Sequence, residues 1–402
     1  MRRLLPLAAL LLSATALAQP SRLDRLLTPD SLSDRATASL LTMLPGDEVY
    51  SLWGHSALRI ADPETGLDET YNYGTFDFEQ PGFLVRFLRG HLDYMLASAP
   101  FEEEVWKYKY LERPMIEQRL ALAPETVRAL FDALRTNALP ENRDYRYEFL
   151  RDNCSTRLLD VVDSALVRTG RPRLALPPAD SAQTFRELLD PYVAEHPWYD
   201  FGTNLGLGAP IDETATVREK TFLPLGLMRI ADETRVGDRL LVAERDTVFW
   251  ILDASEPRPA FPWPTVLAWL ALAGAVGATL AMRRRLRPLR LRRWGARGDG
   301  LLFFAAGLAG VILLALWFGT DHYVTAANSE LLWLWPTHLV AAFGLARVSP
   351  SALWRRYALV AGVVTALVVA LWWLWPEPMH PAGVPLALLL AFRAAMRARV
   401  RD

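Results

Sequence analysis

Apolar positions along the chain fall into three patterns. The first is a short unbroken run beginning at Leu4, preceded by Arg2 and Arg3 and closed by Ala16-Leu17-Ala18 before Gln19. A basic start, a short apolar stretch and a small-x-small end are the parts of an export signal, so residues 1–18 are expected to be removed on secretion. The second covers residues 19–255, where short periodic segments alternate with polar turns. EVYSLWGHSALRIAD is rich in β-favouring residues around a Gly and predicts a strand at or near His55. After Asn153, the residues Leu158, Leu159, Val162, Ala165 and Leu166 recur at helical spacing, which predicts a helix whose first turn holds Cys154. Between residues 125 and 193 the periodicity is mostly helical, with starts expected near Pro124 and Ser181 and a Pro-rich loop, RPRLALPPADSAQ, between. The third pattern consists of five long apolar stretches, roughly 264–282, 300–318, 331–346, 357–375 and 384–396. About 20 apolar residues cross a hydrocarbon core of about 30 Å. The third and fifth stretches are short, and Pro336 interrupts the third. The expected organisation is a signal peptide, an exported domain at 19–255 and a five-helix membrane domain at 256–402.

Charge sharpens this division. The totals, 44 Lys+Arg against 45 Asp+Glu, resemble those of a neutral soluble protein, although 51% hydrophobic residues and a mean hydropathy of +0.10 do not. Beyond residue 282 there are fifteen Arg, no Lys and five acids, whereas residues 19–282 carry a net −13. The Arg cluster in RRRLRPLRLRRWGAR, RVSPSALWRRY and the terminal RARVRD, while TDHYVTAANSE and PEPMHPAG have neither Lys nor Arg. Basic loops stay in the cytoplasm. The expected topology is therefore a multi-pass protein of the bacterial inner membrane, its large domain in the periplasm and its C-terminus cytoplasmic. Trp263, Trp333, Trp335, Trp372, Trp373 and Trp375 fall near the outer ends of the stretches, where amphipathic rings settle. Basic charge beside apolar spans, rather than on a folded domain, speaks against nucleic acid as a partner. GTNLGLGAP lacks the strand and helix of a phosphate loop, no grouping has zinc-ligand spacing, and neither a cofactor nor a metal is expected.

The candidate chemistry centres on the single cysteine. Cys154 has no partner for a disulfide in an oxidising compartment, and Asp152 and Asn153 before it are good cap types. At a helix start, the free amides and the dipole are expected to lower the thiol pKa. A buried packing role is the alternative. A Cys nucleophile needs a base, best supplied by a His. His91 and His196 read as surface or packing residues, and His55, on its strand, is the candidate. The group orienting its imidazole would be Asn72, with Asp77 and Asp62 as alternatives. Tyr50, Ser51 or the amide of Cys154 would donate to an oxyanion, while Asp152 and Asn153 could act merely as caps. Arg59, Arg89, Arg151 and Arg157 are candidates for lipid phosphate, against the commoner fate of ion pairing. In the membrane region Asp321, His322, Asn328, Glu330 and His338 gather near the outer ends of two spans, read as a hydrated interfacial loop with no catalytic assignment.

The successive segments GDEVYSLWGHSALRI, TYNYGTFDF, FLRGHLDYML and NRDYRYEFLRDNCSTR resemble the motifs of the Lnb N-terminal periplasmic domain, formerly a domain of unknown function, across about residues 38–170. NSELLWLWPTHL is similar to its accompanying membrane domain. The resemblance implies an α+β, permuted papain-like extracytoplasmic fold in which His precedes Cys, followed by an all-α five-helix transmembrane domain. It further implies a lipoprotein N-acyltransferase, with phospholipid as acyl donor, Cys154 as nucleophile, His55 as base and a diacylated lipoprotein as acceptor. The same pair of residues would also serve a phospholipase or thioesterase, or a cell-wall peptidase or amidase. A membrane-anchored periplasmic binding or assembly protein is the alternative of another class.

Overall fold

The computed structural model describes residues 31–48, 51–77, 79–251, 260–283, 289–375 and 377–400. The expected signal peptide, Tyr50 and part of the first basic loop lie outside the described residues. The chain divides into two compact units. One comprises Met1–Phe87, His91–Ala182 and Ala215–Ser255; the other comprises Leu88–Gly90, Gln183–Thr214 and Glu256–Asp402.

The first unit opens with strands β1 (Thr37–Met43), β2 (His55–Asp62) and β3 (Leu67–Thr75), followed by helix α1 (Phe83–Arg89), β4 (Asp93–Pro100), helix α2 (Phe101–Tyr110) and β5 (Met115–Leu120). Helix α3 (Pro124–Asn137), the short β6 (Asp144–Arg146), helix α4 (Cys154–Arg168) and β7 (Leu174–Ala175) come next. The second unit takes helices α5 (Phe185–Val193) and α6 (Pro197–Gly206), after which α7 (Val217–Lys220), α8 (Pro224–Glu233), β8 (Arg235–Val236), β9 (Arg239–Leu240) and β10 (Val242–Phe249) return to the first. Seven strands form one antiparallel sheet in the order β10-β5-β1-β2-β3-β4-β6. Strand β1 lies near its centre, and its TASLLTM has apolar residues facing both ways because both faces are covered. On one face Leu40, Leu58, Ile60 and Tyr71 pack with Leu130, Phe131 and Leu134 of α3 and Leu158, Leu159 and Val162 of α4. On the other face Leu41, Met43, Ala57 and Met115 pack with Tyr108 of α2. Gln118 of β5, fully buried, donates to Met228 O at 2.8 Å and Asp232 Oδ1 at 2.6 Å, tying α8 to the sheet. The exported region is thus a mixed α/β domain.

The helix expected near Ser181 begins instead at Phe185, because Thr184 and Glu187 form a reciprocal capping box. His91 lies in the turn between α1 and β4, entered through Gly90 at φ +71. The Gly-rich GTNLGLGAP ends α6 and packs on the second unit's own backbone. Gly208 N–H donates to Val324 O at 2.8 Å, and a Cβ there would lie 2.0 Å from Ala326 O.

The C-terminal region of the second unit is helical: α9 (Trp263–Arg283), α10 (Leu289–Gly319), α11 (His338–Leu345), α12 (Ala352–Leu371) and α13 (Gly383–Ala398). Among the described residues three stretches are long and apolar enough to cross a membrane: Trp263–Ala281, Leu289–Gly319 and Ala352–Leu374. Helix α11, with 8 residues, reaches only about 12 Å, and α13, with 16, about 24 Å. Pro336 precedes α11, and the segment before it is a 3-10 turn at Ser329–Leu332. Small residues let these backbones meet. A Cβ on Gly307 would lie 2.2 Å from Leu339 N, and one on Gly310 2.0 Å from Leu334 O. Gly310→Val is expected to cost about 3 kcal/mol through this backbone clash, read as a lower melting temperature in detergent; an unchanged temperature would contradict the packing.

Candidate active site

Cys154 is the first residue of α4, and the cap that starts this helix is unusually committed. Asn153 Oδ1 accepts from Ser155 N at 2.9 Å and Thr156 N at 3.0 Å, while Thr156 Oγ1 accepts from Asn153 N at 2.9 Å. The other end of the same side chain donates to Phe149 O at 2.7 Å and Phe222 O at 2.8 Å. Every polar atom of Asn153 is therefore engaged in placing the helix start. Removing it in Asn153→Ala is expected to destabilise the domain by about 3 kcal/mol, from the lost cap and the two carbonyls that lose the Asn153 donor. Urea denaturation checks this, and Asn153→Ser, which keeps a cap acceptor alone, should recover part of the loss.

The thiol is half-buried. Burial raises its pKa above the ordinary value, and the N–H of Ser56, the Ser155 hydroxyl and the amides of Ser155 and Cys154 only partly oppose it. The lowering expected from the helix start does not prevail: desolvation of the thiolate outweighs these donors. The contact with Ser56 matters for geometry, because Ser56 follows His55 on β2. Ser155 Oγ also donates to Ser56 Oγ at 3.1 Å. The start of α4 and the start of β2 are thereby brought to the same end of the sheet.

His55 Nε2 lies 3.1 Å from Asn72 Oδ1 on β3, and Asn72 Nδ2 donates to Glu104 Oε1 of α2 at 3.4 Å. Asn72 and Glu104 are both nearly inaccessible, at 5% and 6% exposure, so this alignment does not rely on water. A carboxylate oxygen only accepts, so Glu104 sets the orientation of the Asn72 amide. Its carbonyl oxygen then faces the imidazole. That in turn puts the proton of neutral His55 on Nε2 and leaves Nδ1 as the basic nitrogen. Burial, followed by the charges of Lys107 and Arg113, pushes the His55 pKa down to about 3, against the weaker effect of the Asn72 bond. The resting pair is a neutral thiol and a neutral imidazole.

The remaining candidates separate clearly. Ser51 is buried in a turn and donates to Glu48 O at 2.9 Å. Asp152 pairs with Arg157 at 2.5 Å, and that guanidinium lies 3.5 Å over the Tyr145 ring. Asp62 sits at the other end of β2 from His55. Burial disfavours its charge, but bonds from Ser33 and the Glu64 amide hold its pKa at about 2. Asp77 accepts from Glu79 N at 2.8 Å. Arg59 is engaged by Asp68, Glu117 and the Phe101 ring, and Arg151 by Glu219. His196 caps α6. In the second unit, the side chain of Asn328 donates to Leu205 O at 2.9 Å, and His338 is fully buried between Tyr357 Oη at 2.7 Å and Trp333 O at 3.1 Å. Glu330 accepts from Trp333 Nε1. These bonds hold the outer loops together. Glu104, Lys107 and Ser56 were not legible as site residues in the sequence. Nothing in FEEEVWKYKY marks one acid of three as the inward one.

A mixed α/β domain with one half-buried thiol against the start of the strand that carries His55, and a carboxyl-terminal set of helices long and apolar enough to cross a membrane, defines a membrane protein with a candidate Cys/His site. The description "Lnb N-terminal periplasmic domain" fits residues 24–190 and "Lnb transmembrane domain" fits residues 256–401. The chain belongs to the Lnb family and is a membrane protein with a periplasmic amino-terminal domain. Membership points to a membrane enzyme of lipoprotein processing. No curated protein and no solved structure matches it.

Proposed function

We propose that the protein is a lipoprotein N-acyltransferase of the inner membrane, moving an acyl chain from phospholipid to the α-amine of a diacylated lipoprotein through a thioester on Cys154. The observation that carries this reading is the chain Glu104–Asn72–His55. It fixes the imidazole tautomer at the end of the sheet where Cys154 begins its helix, in a periplasmic domain joined to membrane helices. The order His before Cys, on a strand and at a helix start, supports the permuted papain-like reading. Five crossings in this reading take the third through α11 together with the turns before it and the fifth through α13, with the Arg-rich loops and the C-terminus in the cytoplasm.

In this scheme Nδ1 of His55 takes the thiol proton as sulfur attacks the ester carbonyl. The neutral resting pair makes proton transfer and attack concerted, so no stored thiolate is needed. The oxyanion meets the N–H groups of Cys154 and Ser56, which already face the sulfur. On collapse the C–O bond breaks, and the imidazolium returns its proton to the departing lysophospholipid. The lipoprotein amine then attacks the thioester, His55 accepts its proton, and the Cys154 thiol is restored as the amide forms. A thioester is more reactive toward an amine than the starting ester, which is what the relay gains. The test in cells is the amino-terminal mass of lipoproteins after loss of the gene: triacyl forms should give way to diacyl forms. Unchanged triacylation in a strain with no second such enzyme would overturn the reading.

A further inference from the structure

Helix α1, FLVRFLR, has no buried residue. Leu84, Val85, Phe87 and Leu88 are 64%, 60%, 46% and 54% exposed. This seven-residue helix, apolar apart from its two Arg, leaves much of that apolar surface exposed among the described residues. Leu88–Gly90 belong to the second unit, and Arg89 O accepts from Asp321 N at 2.9 Å. Asp321 lies two residues beyond the outer end of α10, one of the three membrane-crossing helices. Arg89, the last residue of α1, is thus hydrogen-bonded within the second unit, beside the end of α10.

From α1 a row of aromatic rings runs into the domain. Phe87 stacks on Phe83 at 6.1 Å and Phe83 on Phe76 at 6.0 Å. Phe76 meets Tyr94 edge-on at 5.3 Å, and Tyr94 stacks on Tyr147 at 4.3 Å. The row ends beside the candidate nucleophile: a Cβ on Gly74 would lie 3.6 Å from Tyr147 Cε2 and 3.4 Å from Cys154 Cβ. Gly74 has φ +85 and sits at the irregularity in the pairing of β3 with β4, so β3 adds no side chain of its own between Tyr147 and Cys154.

We propose that α1 is an interfacial helix whose apolar surface enters the outer leaflet, and that the row Phe87–Phe83–Phe76–Tyr94–Tyr147 is the site that receives a long acyl chain and leads its ester carbonyl to Cys154. An apolar helix surface with Arg at its edge suits the headgroup boundary. A continuous line of rings offers a long chain apolar contact along its flank without demanding one chain length. The acyl-chain assignment rests on the reading of Cys154 as the residue that takes the acyl group; the lipid contact of α1 does not.

Two measurements on the full-length protein in phospholipid vesicles separate these parts. In the first, the Phe83→Ser/Phe87→Ser double variant is compared with the parent for adduct formation on Cys154. One donor is a long-chain phospholipid and the other a short-chain, water-soluble ester. The long-chain to short-chain ratio is expected to fall about tenfold or more, because only the long chain uses the row. An unchanged ratio, including an equal loss on both donors, would overturn the acyl-chain site. In the second, Leu84→Cys in a Cys154→Ser background carries an environment-sensitive fluorophore, and lipids bearing a shallow quencher are added. Strong quenching is expected; a fluorophore that remains in water would overturn the interfacial helix. If the parent forms no adduct with either donor, the acyl-chain site falls together with the function assigned to Cys154, and the quenching result still decides the interfacial helix.

Discussion

Cys154→Ser is expected to abolish acyl transfer while leaving the domain folded. The Sγ to Oγ change alters no cap: the amides of Ser155 and Thr156 remain on Asn153 Oδ1, and Asn153 remains on Phe149 O and Phe222 O. The melting temperature should therefore stay close to that of the parent. Chemistry, by contrast, loses its nucleophile. A hydroxyl is a far weaker nucleophile than a thiol at this site, with no strong base to activate it, and loss of the nucleophile alone is worth about three orders of magnitude or more. Mass spectrometry of a lipopeptide acceptor incubated with protein and phospholipid provides the check. A Cys154→Ser protein that transfers at the parental rate would assign Cys154 to packing and remove every covalent scheme.

His55→Ala is expected to produce a loss of similar scale, and the pH dependence of the parent should explain why. Burial and the charges of Lys107 and Arg113 hold the imidazole pKa at about 3, so His55 is neutral and ready to accept a proton throughout the neutral range. Protonation is what removes the base. The acid limb of kcat/KM should accordingly lie well below the ordinary imidazole pKa of about 6.5. The linkage has the same sign in stability. The unfolded chain binds a proton at His55 below about pH 6.5 while the folded domain does not. Stability from this residue is therefore present above that pH and lost as the pH falls toward 3, and His55→Gln should flatten that part of the profile. The thiol gives a complementary reading. Its pKa is raised, so alkylation of the single cysteine by iodoacetamide should keep accelerating beyond pH 9. A plateau already reached at pH 6 would mean a resting thiolate–imidazolium pair and would contradict the neutral one.

Much of the local structure around Cys154 and His55 was visible in the chain because its determinants are local. Asn153 before a helical apolar period announces the start of α4, and the β-favouring residues around Gly54 announce β2. Asn72 was harder, since choosing it over Asp77 and Asp62 requires the pairing of β2 with β3 and the knowledge that Asp62 ends the strand on a turn. Glu104 was invisible for a related reason: its contact with Asn72 crosses from α2 to the sheet, and three successive Glu give no sign of which one turns inward. The direction of the thiol pKa was misjudged from sequence because the dipole of a helix start can be read locally, whereas the desolvation that exceeds it comes from the packing of distant segments. In the membrane region the apolar stretches were legible as segments, but the turns around Pro336 replace helix in the first half of the third. The Gly-rich segment near residue 205 has its glycine for close backbone approach, a requirement set by a turn more than 100 residues away in the chain.

The most direct measurement is the intact mass of the purified protein after incubation with labelled phospholipid, followed by a chase with diacylated lipopeptide. One acyl group on Cys154, released by hydroxylamine and lost faster when the lipopeptide is added, with a triacyl lipopeptide appearing in equal amount, is the predicted result. An adduct whose loss the lipopeptide never accelerates would leave a hydrolase in place of the transferase, and the absence of any adduct would contradict the thioester itself.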